Sequence, residues 1–148
     1  MTTLRDQLGH GAKRAAVVKD AEDVLEMEVQ DKGGLTGVAI RGAYAIVKGV
    51  KPGFTSEVID GLLDDFLDAL DPIYQEAVAQ ARRPGDHLRS NADRMAEALL
   101  AITDGRAARA SRTVIKKTYE KLRPTAKKHV SEAAPRLGSL LDRHLASA

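Results

Sequence analysis

An all-α fold is predicted for this chain by three observations. Apolar residues recur at the 3.6-residue period in nearly every segment, runs alternating β-branched with polar residues are missing, and glycine or proline signals cut the sequence into helix-length pieces. At 148 residues one domain spanning 1–148 suffices, and a chain of that size buries roughly 70% of its unfolded surface without metals or cross-links. The expected architecture is a compact single-domain bundle of about seven helices with short connections.

The breaks fall at Gly9 to Gly11, Lys32-Gly33-Gly34, Lys51-Pro52-Gly53, Asp71-Pro72, Arg83-Pro84-Gly85, Asp104-Gly105, Arg123-Pro124 and Ala134-Pro135. Between the second and third, Leu35 to Lys51 gathers Leu35, Ala39, Ile40, Ala43, Ile46, Val47 and Val50 on one arc, with Val38, Gly42, Ala45 and Gly49 flanking it. So little is left for water that this is expected to be the central helix. Gly42 and Gly49 each cost about 1 kcal/mol of helix propensity, which close approach by a neighbouring helix would offset, with a ligand passage as the less favoured explanation. The next helix, Ser56 to Asp71, is capped by Thr55 or Ser56 and buries Val58, Ile59, Leu62, Leu63, Phe66, Leu67 and Leu70. Asp86, Ser90 and Asp93 offer side-chain acceptors for a helix beginning near His87. Arg106 to Arg123 turns Val114, Ile115, Tyr119 and Leu122 inward and covers the rest with Arg106, Arg109, Arg112, Lys116, Lys117, Lys121 and Arg123, and Lys127, Lys128 and His129 extend it.

Charge is segregated along the chain. Between Asp20 and Glu76 there are thirteen acids against four Lys or Arg, whereas Gly105 to Ala148 carries eleven Lys or Arg against three acids. The near-neutral total of +2 conceals this asymmetry. Opposite charges of this kind neutralise each other within the fold, pair between molecules, or meet an external polyion. Asp60, Asp64, Asp68 and Asp71 form an acidic contact face on a helix without Lys or Arg, and repulsion at i,i+4 costs a few tenths of a kcal/mol per pair. Arg109, Arg112 and Lys116, at i, i+3 and i+7, with Lys117 beside them, form a stripe able to track phosphates.

Catalytic signatures are weak. Asp64-Asp65-Phe66-Leu67-Asp68 has the D-D-x-x-D spacing that suits Mg²⁺ and a diphosphate, but no second Asp-rich helix faces it, so it reads as a solvated acidic face. The histidines His10, His87, His129 and His144 lack metal-ligand spacing, and there is no cysteine to serve as thiolate ligand, nucleophile or disulfide partner. No P-loop, G-x-S-x-G or G-x-G-x-x-G occurs. The chain is therefore expected to be non-enzymatic, without cofactor or metal. It contains neither a signal-peptide core nor an uncharged apolar run long enough to span a bilayer, which makes the cytoplasm the expected compartment. Two Phe, three Tyr and no Trp also disfavour single-strand stacking platforms and aromatic membrane anchors.

The strings Lys51-Pro-Gly-Phe-Thr, Asp60-Gly-Leu-Leu-Asp-Asp-Phe-Leu-Asp-Ala-Leu, Ala98-Leu-Leu-Ala-Ile-Thr-Asp-Gly-Arg and Val114-Ile-Lys-Lys-Thr-Tyr-Glu-Lys-Leu-Arg-Pro resemble an uncharacterised bacterial family of short all-helical proteins, a domain of unknown function. The resemblance runs nearly end to end and implies a bacterial source and one intact domain, but transfers no site. The expected function is an interaction or scaffold protein that uses its acidic helix and basic C-terminal third, self-association included. The alternative is polyanion binding, nucleic acid in particular, through Arg109, Arg112, Lys116 and Lys117. Membrane-surface or small apolar ligand binding ranks third.

Overall fold

A computed structural model describes residues 2–146, which form the helices α1 (Leu4–Leu8), α2 (Gly11–Asp31), α3 (Gly34–Lys48), α4 (Phe54–Ala79), α5 (Pro84–Ser90), α6 (Ala92–Ala108), α7 (Thr113–Glu132) and α8 (Ala134–Ala146). No strand occurs among the described residues, so the all-α class holds, with eight helices rather than about seven.

Short α1 forms because Thr3 and Asp6 make a reciprocal capping box, Thr3 Oγ1 accepting from Asp6 N at 3.0 Å and Asp6 Oδ2 accepting from Thr3 N at 3.2 Å. It is then pinned as a plug, with Leu4 and Leu8 wholly buried and Leu4 N donating to Asp71 Oδ1 at 2.9 Å. Ion pairs record the helix directions. Asp20 meets Arg143 and Glu28 meets Arg136, so α2 runs antiparallel to α8; Asp65 meets Arg106 and Glu76 meets Arg94, so α4 runs antiparallel to α6. One hydrophobic cluster joins Leu4, Leu8, Val17, Val24, Leu63, Leu67, Leu70, Ile73, Leu88, Met95, Leu140 and Leu141. These come from α1, α2, α4, α5, α6 and α8, with the partly buried Val130 of α7 packed against them and α3 left outside.

Two prolines expected to end helices sit inside them. Pro72 lies within α4 and Pro124 within α7. An interior proline costs roughly 3 kcal/mol, and at Pro72 the cost is offset by burial of Leu70 and Ile73 on either side. Asp104-Gly105 does not break α6 either. The turn comes at Arg109 to Arg112, so the expected helix Arg106 to Arg123 is divided between the end of α6 and the start of α7. Folding back there lets α7 zip along α6: Thr103 Oγ1 and Asp104 meet Tyr119 Oη, Asp104 pairs with Arg123 at 2.8 Å, Glu97 with Lys127 at 2.9 Å, and Ser131 Oγ donates to Asp93 at 2.9 Å. An unforeseen break at Asn91 separates α5 from α6.

The largest correction concerns α3, which is peripheral rather than central. Leu35, Val38 and Ile46 are 89, 61 and 47% exposed, and Gly37 is the only buried residue of the helix. Polar side chains set this orientation. Arg41 donates to Lys32 O at 2.7 Å, Tyr44 faces Glu26 across a shared cleft, and Lys48 approaches Glu26 at 3.7 Å. Gly37 meanwhile lies so close to α2 that a Cβ there would stand 2.2 Å from Lys32 O. The polar residues thus reach back onto the preceding helix, and the arc carrying Leu35, Val38, Ala39, Gly42, Ala45, Ile46 and Gly49 turns outward. Gly42 touches nothing within 4 Å of its would-be Cβ, so the close helix approach expected along that stripe is absent.

Candidate functional site

The acidic face of α4 is neutralised within the molecule, chiefly by Arg5 and Arg14, with Arg106 from the start of the expected basic helix meeting Asp65. Arg14 lies in the first turn of α2. It donates to Asp60 Oδ1 at 2.8 Å, Asp64 Oδ1 at 2.7 Å, Asp60 O at 2.7 Å and Gly9 O at 2.9 Å. Arg5 of α1 approaches Asp68 at 3.4 Å and Asp64 at 3.7 Å. Arg106, at the end of α6, donates to Gly61 O at 2.6 Å and lies 3.8 Å from Asp65. Asp71 accepts from Leu4 N and from Gln75. The hydrogen bond from Arg14, a charge-assisted contact, holds the Asp64 carboxyl below the usual carboxylate range. The D-D-x-x-D carboxylates are therefore arginine acceptors, and among the described residues no cluster of three or more His, Asp or Glu is arranged to hold a metal ion.

The basic helix behaves differently. Arg123 and Lys127 are paired with Asp104 and Glu97, and Arg112 lies 5.9 Å from the Phe54 ring centroid in a cation–π contact. Among the described residues Arg109, Lys116, Lys117, Lys121 and Lys128 meet no carboxylate, and all are exposed. The expected stripe Arg109, Arg112, Lys116 is broken by the turn, since Arg109 ends α6 and Arg112 precedes α7. The row that stays on one helix is instead Lys117, Lys121 and Lys128, at i, i+4 and i+11 of α7, with Pro124 between the last two. That spacing was readable once the helix start is known.

Between the acidic and basic helices lies a groove of about 900 Å³, floored by Phe54, Val58 and Leu62 of α4 and by Ile115 and Tyr119 of α7, with Arg106, Arg109 and Arg112 on its rim. Burial and the Asp104 hydrogen bond raise the Tyr119 hydroxyl pKa, keeping it a neutral donor. It braces the groove wall rather than offering an ionisable group.

One polar cluster gave no local signal in the sequence. His87 is 5% exposed, with Nε2 at 3.1 Å from Glu76 Oε1 and Nδ1 at 2.9 Å from Arg82. Arginine can only donate, so Nδ1 accepts and Nε2–H faces the carboxylate. Arg94 grips the same carboxylate with both arms, at 2.8 and 2.7 Å, and with His87 depresses the Glu76 pKa to about 2. Every polar atom here is committed to another, which makes the cluster a brace between α4, α5 and α6.

Residues 4–145 match the family described as a family of unknown function (DUF6918). No curated protein and no solved structure matches. No helix among the described residues is long and apolar enough to cross a membrane.

Proposed function

The chain belongs to this family of unknown function, and we propose that it is a non-enzymatic binding protein that engages an anionic partner through α7 and the turn before it. One observation carries the reading: the carboxylates of α4 are satisfied internally, whereas Arg109, Lys116, Lys117, Lys121 and Lys128 are left without counter-charge. Uncompensated cations on one side raise the local concentration of anions and release counterions when an anion polymer binds. Head-to-tail self-association through the acidic face has less support, because Asp60, Asp64 and Asp68 are already occupied by Arg14 and Arg5.

The test is retention on immobilised heparin or duplex DNA at low salt. Charge reversal by Lys116→Glu, Lys117→Glu, Lys121→Glu and Lys128→Glu touches only exposed side chains and should leave the melting temperature unchanged. It should abolish retention, since each lost phosphate contact removes about 0.9 from the salt-dependence slope on duplex DNA. Failure of the parent protein to be retained at low salt would refute the proposal.

A further inference from the structure

We infer that the anionic partner is the surface of a lipid bilayer, and that the outward arc of α3 inserts among its headgroups while α7 supplies the cations; this rests on the reading of α7 above and names its partner. Leu35, Val38 and Ile46 are 89, 61 and 47% exposed. The positions between them on that arc are Ala and Gly, so no polar side chain interrupts the patch. Scattered exposed aliphatics are ordinary, but a continuous patch along a whole helix marks an interaction site. Its edge is charged. The start of α3 and the second half of α7 border one cleft, where Thr36 and Lys128 both line the wall and the carboxylates Glu28, Asp31 and Glu132 are paired with Lys32 and Arg136. Lys117, Lys121 and Lys128 fall within roughly 40° of one another around α7 at 100° per residue.

An apolar helical face with the unpaired Lys128 at its edge, and Lys117 and Lys121 continuing on the same side of α7, fits the boundary of an anionic membrane, where aliphatic side chains enter the acyl region and cations stay at the phosphates. Nucleic acid offers nothing to Leu35 and Val38. A second copy of the chain would bring its own lysine row to the same side, while carboxylates bordering α3 are already taken: Glu26 by Lys48, Glu28 by Lys32 and Arg136, and Glu132 by Lys32. Charge complementarity thus selects the bilayer.

Cosedimentation of the full chain with phosphatidylglycerol and with phosphatidylcholine vesicles tests the inference, alongside heparin retention. The protein should pellet with the anionic vesicles alone. The variant Leu35→Ser, Val38→Ser, Ile46→Ser, which adds no charge, should keep its melting temperature and its heparin retention but bind the vesicles at least about tenfold more weakly, as loss of inserted aliphatic area requires. Heparin retention without any vesicle binding overturns the bilayer inference and leaves the reading of α7 standing; loss of both removes both. Unchanged vesicle binding by the variant also overturns it. So does a concentration-dependent dimer that the variant abolishes while the parent ignores vesicles, which would assign the face to a second copy.

Discussion

Two glycine-to-alanine substitutions should shift stability in opposite directions. Gly138 of α8 faces Gly85 of α5 at a backbone crossing, and a Cβ on Gly138 would lie 2.8 Å from Gly85 O and 3.3 Å from Arg89 Cζ. Ordinary contact begins near 3.4 Å, so α8 would have to withdraw by roughly half an ångström. That strains the bond from Gly85 N to Asp142 Oδ1, now 2.9 Å, and the one from Arg89 to Ser139 Oγ, now 3.0 Å. Because the atom struck is backbone and cannot rotate aside, the overpacking cost falls in the upper part of the usual range, about 2–3 kcal/mol, offset by the ~1 kcal/mol that alanine gains over glycine in a helix. A net loss of about 1–2 kcal/mol lowers the melting temperature by roughly 3–6 °C for a chain this long. Gly42→Ala has no neighbour to strike, since nothing lies within 4 Å of the added carbon. Only the propensity gain remains, about 0.5–1 kcal/mol, which raises the melting temperature by roughly 2–3 °C. Thermal unfolding followed by circular dichroism reads both. A fall for Gly42→Ala would mean that α3 packs its glycine stripe inward, and an unchanged or raised value for Gly138→Ala would mean that α5 and α8 do not touch backbone to backbone.

Acid should weaken the brace around Glu76. Its pKa is depressed from 4.5 to about 2, first by Arg94 and then by His87, so its contribution is present above pH 4.5 and lost as pH falls toward 2. Glu76→Gln should therefore be less stable than the parent at pH 6, with the gap closing across that window in urea titrations; a gap independent of pH would refute the assignment. Ala81, at the end of α4, is held at φ 54° by a Schellman turn in which Arg82 N donates to Ala77 O at 2.9 Å. Ala81→Gly relieves that left-handed strain and should gain about 1 kcal/mol, roughly 3 °C. A loss on thermal unfolding would show the turn differently built.

Much of the helical framework was legible because burial repeats with the turn of the helix. Leu62, Leu63, Leu67 and Leu70 are buried as their arc predicts, and the breaks at Gly33-Gly34, Pro52-Gly53 and Pro84 lie where predicted. Periodicity reports that a face is apolar, not that a partner exists to cover it. In α3 the decision was made by Arg41, Tyr44 and Lys48, whose reach back to α2 is a tertiary fact with no counterpart in local pattern. Prolines misled for a similar reason: Pro72 carries its ordinary cost, but burial of Leu70 and Ile73 around it outweighs the break. At the candidate site the charge types were visible and the pairing was not. The acidic helix found Arg5 and Arg14, remote in sequence, while Arg106 at the start of the expected basic helix reached Asp65. The turn at Arg109 to Arg112 then moved the lysine row one register along.

The attachment of α7 has a dynamic consequence. It buries no residue fully, with Val130 only partly covered at the edge of the core, and it meets α6 through hydrogen bonds and ion pairs that water can replace. Its backbone amides should consequently exchange with deuterium through excursions far cheaper than whole-chain denaturation, while those of α1 and α8 wait for the global event. The same surface that presents the lysines is thus the first to peel away, so any docking that clamps α7 would register as slowed exchange there long before it altered the midpoint of unfolding.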